Sequence, residues 1–490
     1  MSPVDLKSIA AALRAAGLLI ESRGSLPEWV SDIADHSRRV TPGALFIAVR
    51  GALLDGHAFI SEAGARGAVA AMVEDADATT LPVLVVRDSR RAVAVAAAAA
   101  FAFPARVLRL VGVTGTNGKT TTVNILRHLL HGEELVAASI GTLGVLVGSP
   151  GDPAEGGEGL TTPGPVELQR LFRTLVDRGV RSIVMEVSSH SLHQHRVEGV
   201  SFAAAVFTNL TRDHLDYHGT MEEYFAAKAK LVPLVSPGGV MAVNADDAAW
   251  SALPAGPRVV TFGVREAAMV RASGVRYAPT GSEWTLEADG ARAAVRLPLI
   301  GDFNVANAVG AAAAAWGMGL ALPEIAARLT NAPQVPGRLE VIGTGPTVLR
   351  DYAHTPDALE RALEAVRPFA QRRLIVVFGC GGDRDRGKRA PMGAIAARHA
   401  DLAIVTSDNP RTEDPERILD EIESGMPPGG HERHTDRREA IARALAVAQP
   451  DDVVLLAGKG HETYQVRGTT KYPFDEQVIV RELMTAGGER

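Results

Sequence analysis

The residues best equipped for chemistry in this chain form one run, Val111-Gly-Val-Thr-Gly-Thr-Asn-Gly-Lys-Thr-Thr121. An apolar strand expected over 107–113 enters a glycine-rich turn, and Lys119 and Thr120 then open a helix expected over 121–130. Glycines let backbone N–H groups converge on a polyphosphate, and a helix N-terminus adds positive potential. Gly115, Thr116, Asn117, Gly118 and Thr121 would wrap the phosphates of a nucleotide. Lys119 would reach the β- and γ-phosphates, and the Thr120 hydroxyl would bind Mg²⁺. Strict Walker spacing asks for glycine at 113, where this chain has Val113, so the loop is a variant one.

Two further residues follow from strand order. Glu186 ends a buried strand expected over 182–187, and His214 follows the next, expected over 203–207. Strand C-termini line the ligand crevice of an open α/β sheet, so both side chains should face the phosphate loop. Histidine is an unusual ligand for a hard cation, so spacing alone leaves the metal open. For His190, His193, His195 and His218 a surface or packing role is the default. Lys228 and Lys230 share a helix expected over 221–231 and point to different sides of it; by residue type both read as solvated lysines. Asn304 stands at a helix start, where N-capping alone would explain it. Asp408-Asn-Pro-Arg411 follows a strand expected over 402–405, although Asp-Asn-Pro is also an ordinary turn signal.

The elements that must position these residues alternate between strand-like and helix-like almost throughout, which predicts α/β architecture with largely parallel sheets. At 490 residues the chain exceeds one core. Pro104 closes a first block of 1–104, and Pro333 and Pro336 mark the end of a second, 105–335. The third block is 336–490. Within the second, 148–159 reads as a surface loop and 269–299 as an antiparallel annex. A formal charge of −6 gives no basic stripe for nucleic acid. The single cysteine, Cys380, excludes a disulfide framework and a cysteine-rich metal site. The longest apolar run, 92–103, is too short to span a bilayer, and the first residues lack a signal-peptide core, so a cytoplasmic protein without membrane insertion is expected.

The phosphate loop resembles that of the Mur ligase family, and further stretches agree in order: Met185-Glu-Val-Ser-Ser-His190, Thr208-Asn-Leu-Thr-Arg-Asp-His214, Gly301-Asp-Phe-Asn-Val-Ala-Asn307 and Asp351-Tyr-Ala-His-Thr-Pro356. The resemblance spans all three blocks and is strongest to the branch that adds the third peptide residue. It implies an N-terminal UDP-binding α/β domain, a central ATPase domain with a phosphate loop, and a Rossmann-like C-terminal domain. It implies an ATP-dependent ligase of peptidoglycan precursor synthesis that joins meso-diaminopimelate to UDP-N-acetylmuramoyl-L-alanyl-D-glutamate and is read as a monomer.

Site roles follow from the same resemblance. Glu186 and His214 would hold Mg²⁺ beside Thr120, and Lys228 would carry a CO₂-derived carbamate that helps bind a second ion. Lys119, Lys228, His214 and Glu186 thus form the implied catalytic set. Asn304 and Asn307 would contact adenine, Arg338 the phosphates, and Asp351 with His354 the rest of the nucleotide. Ser37, in His36-Ser-Arg-Arg-Val40, and the segment Gly51-Ala-Leu-Leu-Asp-Gly56 would recognise UDP; the family usually has aspartate where this chain has His36. Thr161, Thr162, Ser188, Gln194 and Arg196 would hold the muramoyl dipeptide, with Arg196 suited to a carboxylate. Asp408, Asn409, Pro410 and Arg411 resemble the diaminopimelate-selecting signature, supported by Arg384, Gly458 and Glu462. Diaminopimelate has a distal carboxylate that lysine lacks, and an arginine can grip it bidentately.

Three rival readings fit the residues less well. A lysine-adding sibling is disfavoured by Arg411, and a folylpolyglutamate-type ligase does not explain the first block. A nucleotide-driven switch or motor would leave Glu186, His214 and the C-terminal positions without work.

Overall fold

The computed structural model describes residues 3–51, 54–133, 135–157, 159–278 and 280–487. Ala52 and Leu53, inside the Gly51–Gly56 segment, lie outside the described residues, as do Glu158 and Pro279. The chain forms two compact units. One holds the residues up to Arg271, with Leu286–Ala293 and Asn307–Arg328; the other holds Ala272–Thr285, Ala294–Ala306 and Leu329 onward.

In the first unit, a five-stranded sheet has the order Leu19–Arg23, Val83–Val86, Ala70–Val73, Leu45–Ile47, Ile33–Ala34. The four shorter strands pair in parallel. Apolar side chains at helical spacing explain its cover: Leu6, Ile9 and Leu13 of helix Leu6–Ala15 pack with Ala92, Val93, Ala96 and Ala97 of helix Ser89–Ala100. Asp88 caps the second helix by accepting from the Arg90 and Arg91 N–H groups.

The same unit contains a second sheet ordered Asp152–Ala154, Gly144–Val147, Val136–Gly141, Val180–Glu186, Arg109–Thr114, Phe202–Phe207, Val235–Asn244, Arg258–Gly263. From Val136–Gly141 to Arg258–Gly263 every pairing is parallel. Strands buried on both faces need continuous apolar runs, which Leu110–Val113 and Ile183–Met185 provide. The phosphate-loop strand is therefore flanked directly by the strands ending at Glu186 and Phe207. The segment expected as a loop, 148–159, instead contributes the strand Asp152–Ala154, paired antiparallel with Gly144–Val147. Its glycines hid a three-residue edge strand too short to show alternation. The alternating stretch 269–299 supplies Val270–Ala278, Gly281–Ala288 and Ala291–Leu297, next to one another in sheet order.

The second unit is built on six strands ordered Glu340–Gly343, Thr347–Asp351, Val453–Ala457, Leu374–Phe378, Leu402–Val405, His431–Arg433. Only the first pair is antiparallel among these described strands. Leu349, Val376, Phe378 and Leu455 fill one face of this sheet, and Val348, Ile375, Val377 and Leu456 fill the other. Parallel strands leave all their C-terminal ends on one edge, so Asp351, Gly379, Thr406 and Gly458 emerge together. No helix among the described residues is long and apolar enough to cross a membrane.

Candidate active site

Strand Arg109–Thr114 delivers the phosphate loop, and helix Lys119–Leu130 leaves it with its first N–H groups pointing back. Gly115 and Gly118 both adopt positive φ, +147° and +83°. A methyl on Gly115 would strike Thr208 Oγ1, and one on Gly118 would strike Asn307 Oδ1, so both positions need glycine. The loop is cross-braced by the 208–211 segment. Thr116 N–H donates to Asn209 O at 2.7 Å, Asn117 N–H to Asn209 Oδ1 at 2.9 Å, and Thr208 Oγ1 to Asn117 O at 2.7 Å. Lys119 Nζ donates to the Gly115 and Thr116 carbonyls at 2.9 and 2.7 Å.

Lys228 meets this loop from helix Met221–Ala229, its Nζ donating to Gly115 O at 2.7 Å. Lys230, two residues on, is exposed while Lys228 is 1% exposed. Burial drives the Lys228 pKa well below the usual lysine range, and Lys119 lowers it further. Burial also depresses His214, with Asp213 opposing and Lys119 and Lys228 reinforcing, so this imidazole is held neutral. Glu186 is buried, opposite Val113 in the strand register. Its carboxylate accepts from Thr142 N–H at 2.8 Å and Thr142 Oγ1 at 3.2 Å, and it enters no ion pair among the described residues. A buried carboxylate in no ion pair among the described residues, and a histidine that burial holds below its usual pKa, are donor types that fit a divalent cation.

Around His214 lies a ring cluster that sequence reasoning passed over. His190 meets it edge-on with centroids 4.8 Å apart, and Tyr217 packs on His190 at 4.2 Å. Burial lowers His190 to about 4. His218 Nε2 is 3.0 Å from Ser189 Oγ, and His195 pairs with Glu198. Isolated histidines give no signal for such packing; five of them between residues 190 and 218 were the available clue. Thr142 had none.

The dipeptide candidates are continuous with this centre. Thr162 Oγ1 donates to Glu186 O at 2.9 Å and accepts from Ser188 N–H at 3.2 Å. Arg196 donates to Thr162 O at 2.8 Å and to Gln194 Oε1 at 2.6 Å, and Gln194 donates to Tyr217 OH. Thr161 is half-buried beside them. Gln194 and Arg196 also line a cavity of about 200 Å³ shared with Asp35, Gly51 and Arg90 of the first block. Burial raises the Asp35 carboxyl. Ser37 donates to Glu62 Oε2 at 3.0 Å, and His36 Nδ1 accepts from Arg38 N–H at 3.2 Å, which is the capping bond an aspartate would make.

Asn307 belongs to the first unit, while Asn304, Arg338, Asp351 and His354 belong to the second. Asn304 does not cap: the helix starts at Asp302, and Asn304 Nδ2 donates back to Ile300 O at 2.8 Å. Asp351 ends its strand and accepts from the Leu339 and Ala353 N–H groups at 2.8 Å. The Arg338 guanidinium lies 5.1 Å from the Tyr352 ring centre, and His354 is exposed.

In the second unit Asp408 and Asn409 are buried. Asn409 Nδ2 donates to Glu462 Oε2 at 2.9 Å, while its Oδ1 accepts from Val466 N–H at 2.8 Å. Arg411, at φ +51°, is tied by its backbone to Val466 and Gly468, and its guanidinium donates to Gly382 O at 2.8 Å. Gly458 must lack a side chain, because a methyl there would approach Asp408 Oδ2 to 2.7 Å. Arg384 is exposed on the neighbouring loop. Cys380 is buried against Met392 Sδ at 3.6 Å and its thiol is pushed up to about 12 by burial.

Family models match residues 31–106 (Mur ligase family, catalytic domain), 113–315 (Mur ligase middle domain) and 337–460 (Mur ligase, glutamate ligase domain). The chain is 46% identical over 472 residues to the UDP-N-acetylmuramoyl-L-alanyl-D-glutamate--2,6-diaminopimelate ligase of Geobacillus thermodenitrificans, covering 94% of this chain and 95% of that one. It is 47% identical over 468 residues to the ligase of the same name from Synechococcus elongatus, covering 92% and 93%. A solved structure of a ligase of that name superposes with a TM-score of 0.69 at 34% identity, covering 96% and 98%.

Proposed function

The chain belongs to the Mur ligase family, and from that premise we propose that it joins meso-2,6-diaminopimelate to UDP-N-acetylmuramoyl-L-alanyl-D-glutamate at the expense of ATP. One arrangement carries the choice of amino acid. Asn409 ties Glu462 to the strand that fixes Arg411, so an anion and a cation are presented from one braced loop pair. An amino-acid end with an ammonium and a carboxylate is the complement of that pair. A lysine tail would leave Arg411 without an anion, a cost of about 1–3 kcal/mol.

The reaction has two steps. A carboxylate oxygen of the D-glutamyl residue attacks the γ-phosphorus of ATP, breaking its bond to the bridging oxygen and releasing ADP. An amine of diaminopimelate then attacks the acyl phosphate carbon, forming the amide as phosphate leaves and the amine gives up a proton. Loop N–H groups and Lys119 stabilise charge on the transferred phosphoryl group, and Arg338 is suited to add to this. Arg196 and Thr162 orient the dipeptide, whose nucleotide end fits the cavity at Asp35 and Arg90. Bound Mg²⁺ would be held by Thr120, Glu186 and His214 and would supply positive charge for the phosphoryl oxygens. A carbamate on Lys228, formed from its neutral amine and CO₂, would add a carboxylate to that set. Residues 1–104, 105–335 and 336–490 would serve the UDP precursor, ATP and the amino acid in turn.

The test is phosphate release from ATP across candidate amino acids with the UDP-dipeptide present. Release that requires both the UDP-dipeptide and diaminopimelate is the expected result; equal release without either would make the protein a nucleotide switch.

A further inference from the structure

Lys459 has no part in the roles assigned above, yet its side-chain nitrogen lies among Asp408, Asn409 and Glu462, three of the residues read as meeting the amino acid. It follows Gly458 at the end of strand Val453–Ala457, and its side chain is fully buried. Its Nζ donates to the Tyr464 carbonyl at 2.8 Å, Asn409 Oδ1 at 3.2 Å and Asp408 Oδ1 at 3.4 Å. These three acceptors match in number the three N–H donors of a lysine ammonium. Glu462 Oε2 lies 3.6 Å from the same nitrogen. Two carboxylates and an amide oxygen therefore converge on one buried cation. Removing it would take the only paired cation from both carboxylates among the described residues, leaving Glu462 with its Asn409 bond and Asn409 without one of its anchors.

We propose that Lys459 is a positioning and specificity-determining residue for the incoming amino acid, its ammonium offsetting one of the carboxylates of Asp408 and Glu462 while it orients Asn409. The inference rests on reading this pocket as the diaminopimelate site. With Lys459 in place, the carboxylate pair presents one net negative charge to an ammonium, and Arg411 presents a positive charge to a carboxylate. That balance fits a zwitterionic end. Without Lys459 a second negative charge appears, and a purely cationic tail gains relative to a zwitterionic one.

The experiment uses the full-length enzyme with ATP and the UDP-dipeptide, varying meso-diaminopimelate or L-lysine. In Lys459→Met, the KM for diaminopimelate rises about 50-fold and the diaminopimelate-to-lysine ratio of kcat/KM falls about tenfold, with the KM for ATP within about twofold of the parent. Lys459→Met combined with Asp408→Asn restores the charge balance and recovers part of the ratio, which a merely structural lysine would not allow. Because loss of a buried cation can unfold a domain, Asp408→Asn alone is assayed in parallel; it should move the ratio the opposite way and decides the matter if Lys459→Met does not fold. A parent enzyme inactive with diaminopimelate overturns the reading of the pocket and this inference together. A parent that uses it, with folded variants whose KM and ratio stay within about twofold, overturns the inference alone.

Discussion

The side-chain nitrogen of Lys228 lies 2.7 Å from the carbonyl oxygen of Gly115, the residue where the phosphate loop makes its first sharp turn. Burial that lowers the pKa of this amine favours its neutral, nucleophilic form, the form that adds CO₂. The Lys228→Ala enzyme should therefore lose ligation by roughly 10²–10³-fold and regain part of it with added formate or acetate. Labelled bicarbonate should give a carbamate carbon resonance in the parent that the variant lacks. Full activity in Lys228→Ala would remove this lysine from the site.

The phosphate loop makes a steric prediction. Gly118 sits at φ +83°, and Asn307 Oδ1 occupies the space a side chain would need. Gly118→Ala combines left-handed strain of about 1–2 kcal/mol with displacement of Asn307. Nucleotide affinity should fall at least about tenfold by calorimetry, while binding of the UDP-dipeptide is retained. An unchanged dissociation constant for ATP would show that the loop is not where nucleotide binds.

Much of this was legible because the chemistry coincides with local sequence pattern. Glycine, lysine and threonine between an apolar strand and a helix identify the loop, and strand order places Glu186 and His214 beside it. What escaped depends on tertiary partners. Thr142 matters through its two bonds to Glu186, 44 residues away, and His190 matters through a ring contact with His214. Asn304 looked like a cap because asparagine often is one, but the helix begins two residues earlier. His36 shows the converse: a departure from the family residue whose ring nitrogen still makes the local bond.

Arg411 should govern the amino acid and not the nucleotide. Its backbone is pinned to Val466 and Gly468, so truncating the side chain leaves the loop in place. Arg411→Ala should raise the KM for diaminopimelate by about 10²-fold, as loss of a charged pair implies, with the KM for ATP nearly unchanged. Steady-state phosphate release measures both. Equal use of L-lysine and diaminopimelate by the unaltered enzyme would defeat the assignment.

His461 should make the fold sensitive to mild acid. Its Nδ1 is buried with no hydrogen-bond partner among the described residues, and its ring stacks 5.3 Å from Tyr352. Burial first, then Arg338 and Arg350, lowers its pKa from 6.5 to about 4. The folded value lies below the unfolded one, so between them the unfolded chain binds the extra proton. Stability is therefore complete above pH 6.5, declines as pH falls toward 4, and takes no further loss from this group below that. His461→Phe keeps the ring and removes the titration, so the decline of unfolding free energy with pH should flatten by about one proton per molecule. Urea titrations at several pH values across that window measure the slope. A variant with the parent's slope would mean that His461 is already exposed to water in the folded chain.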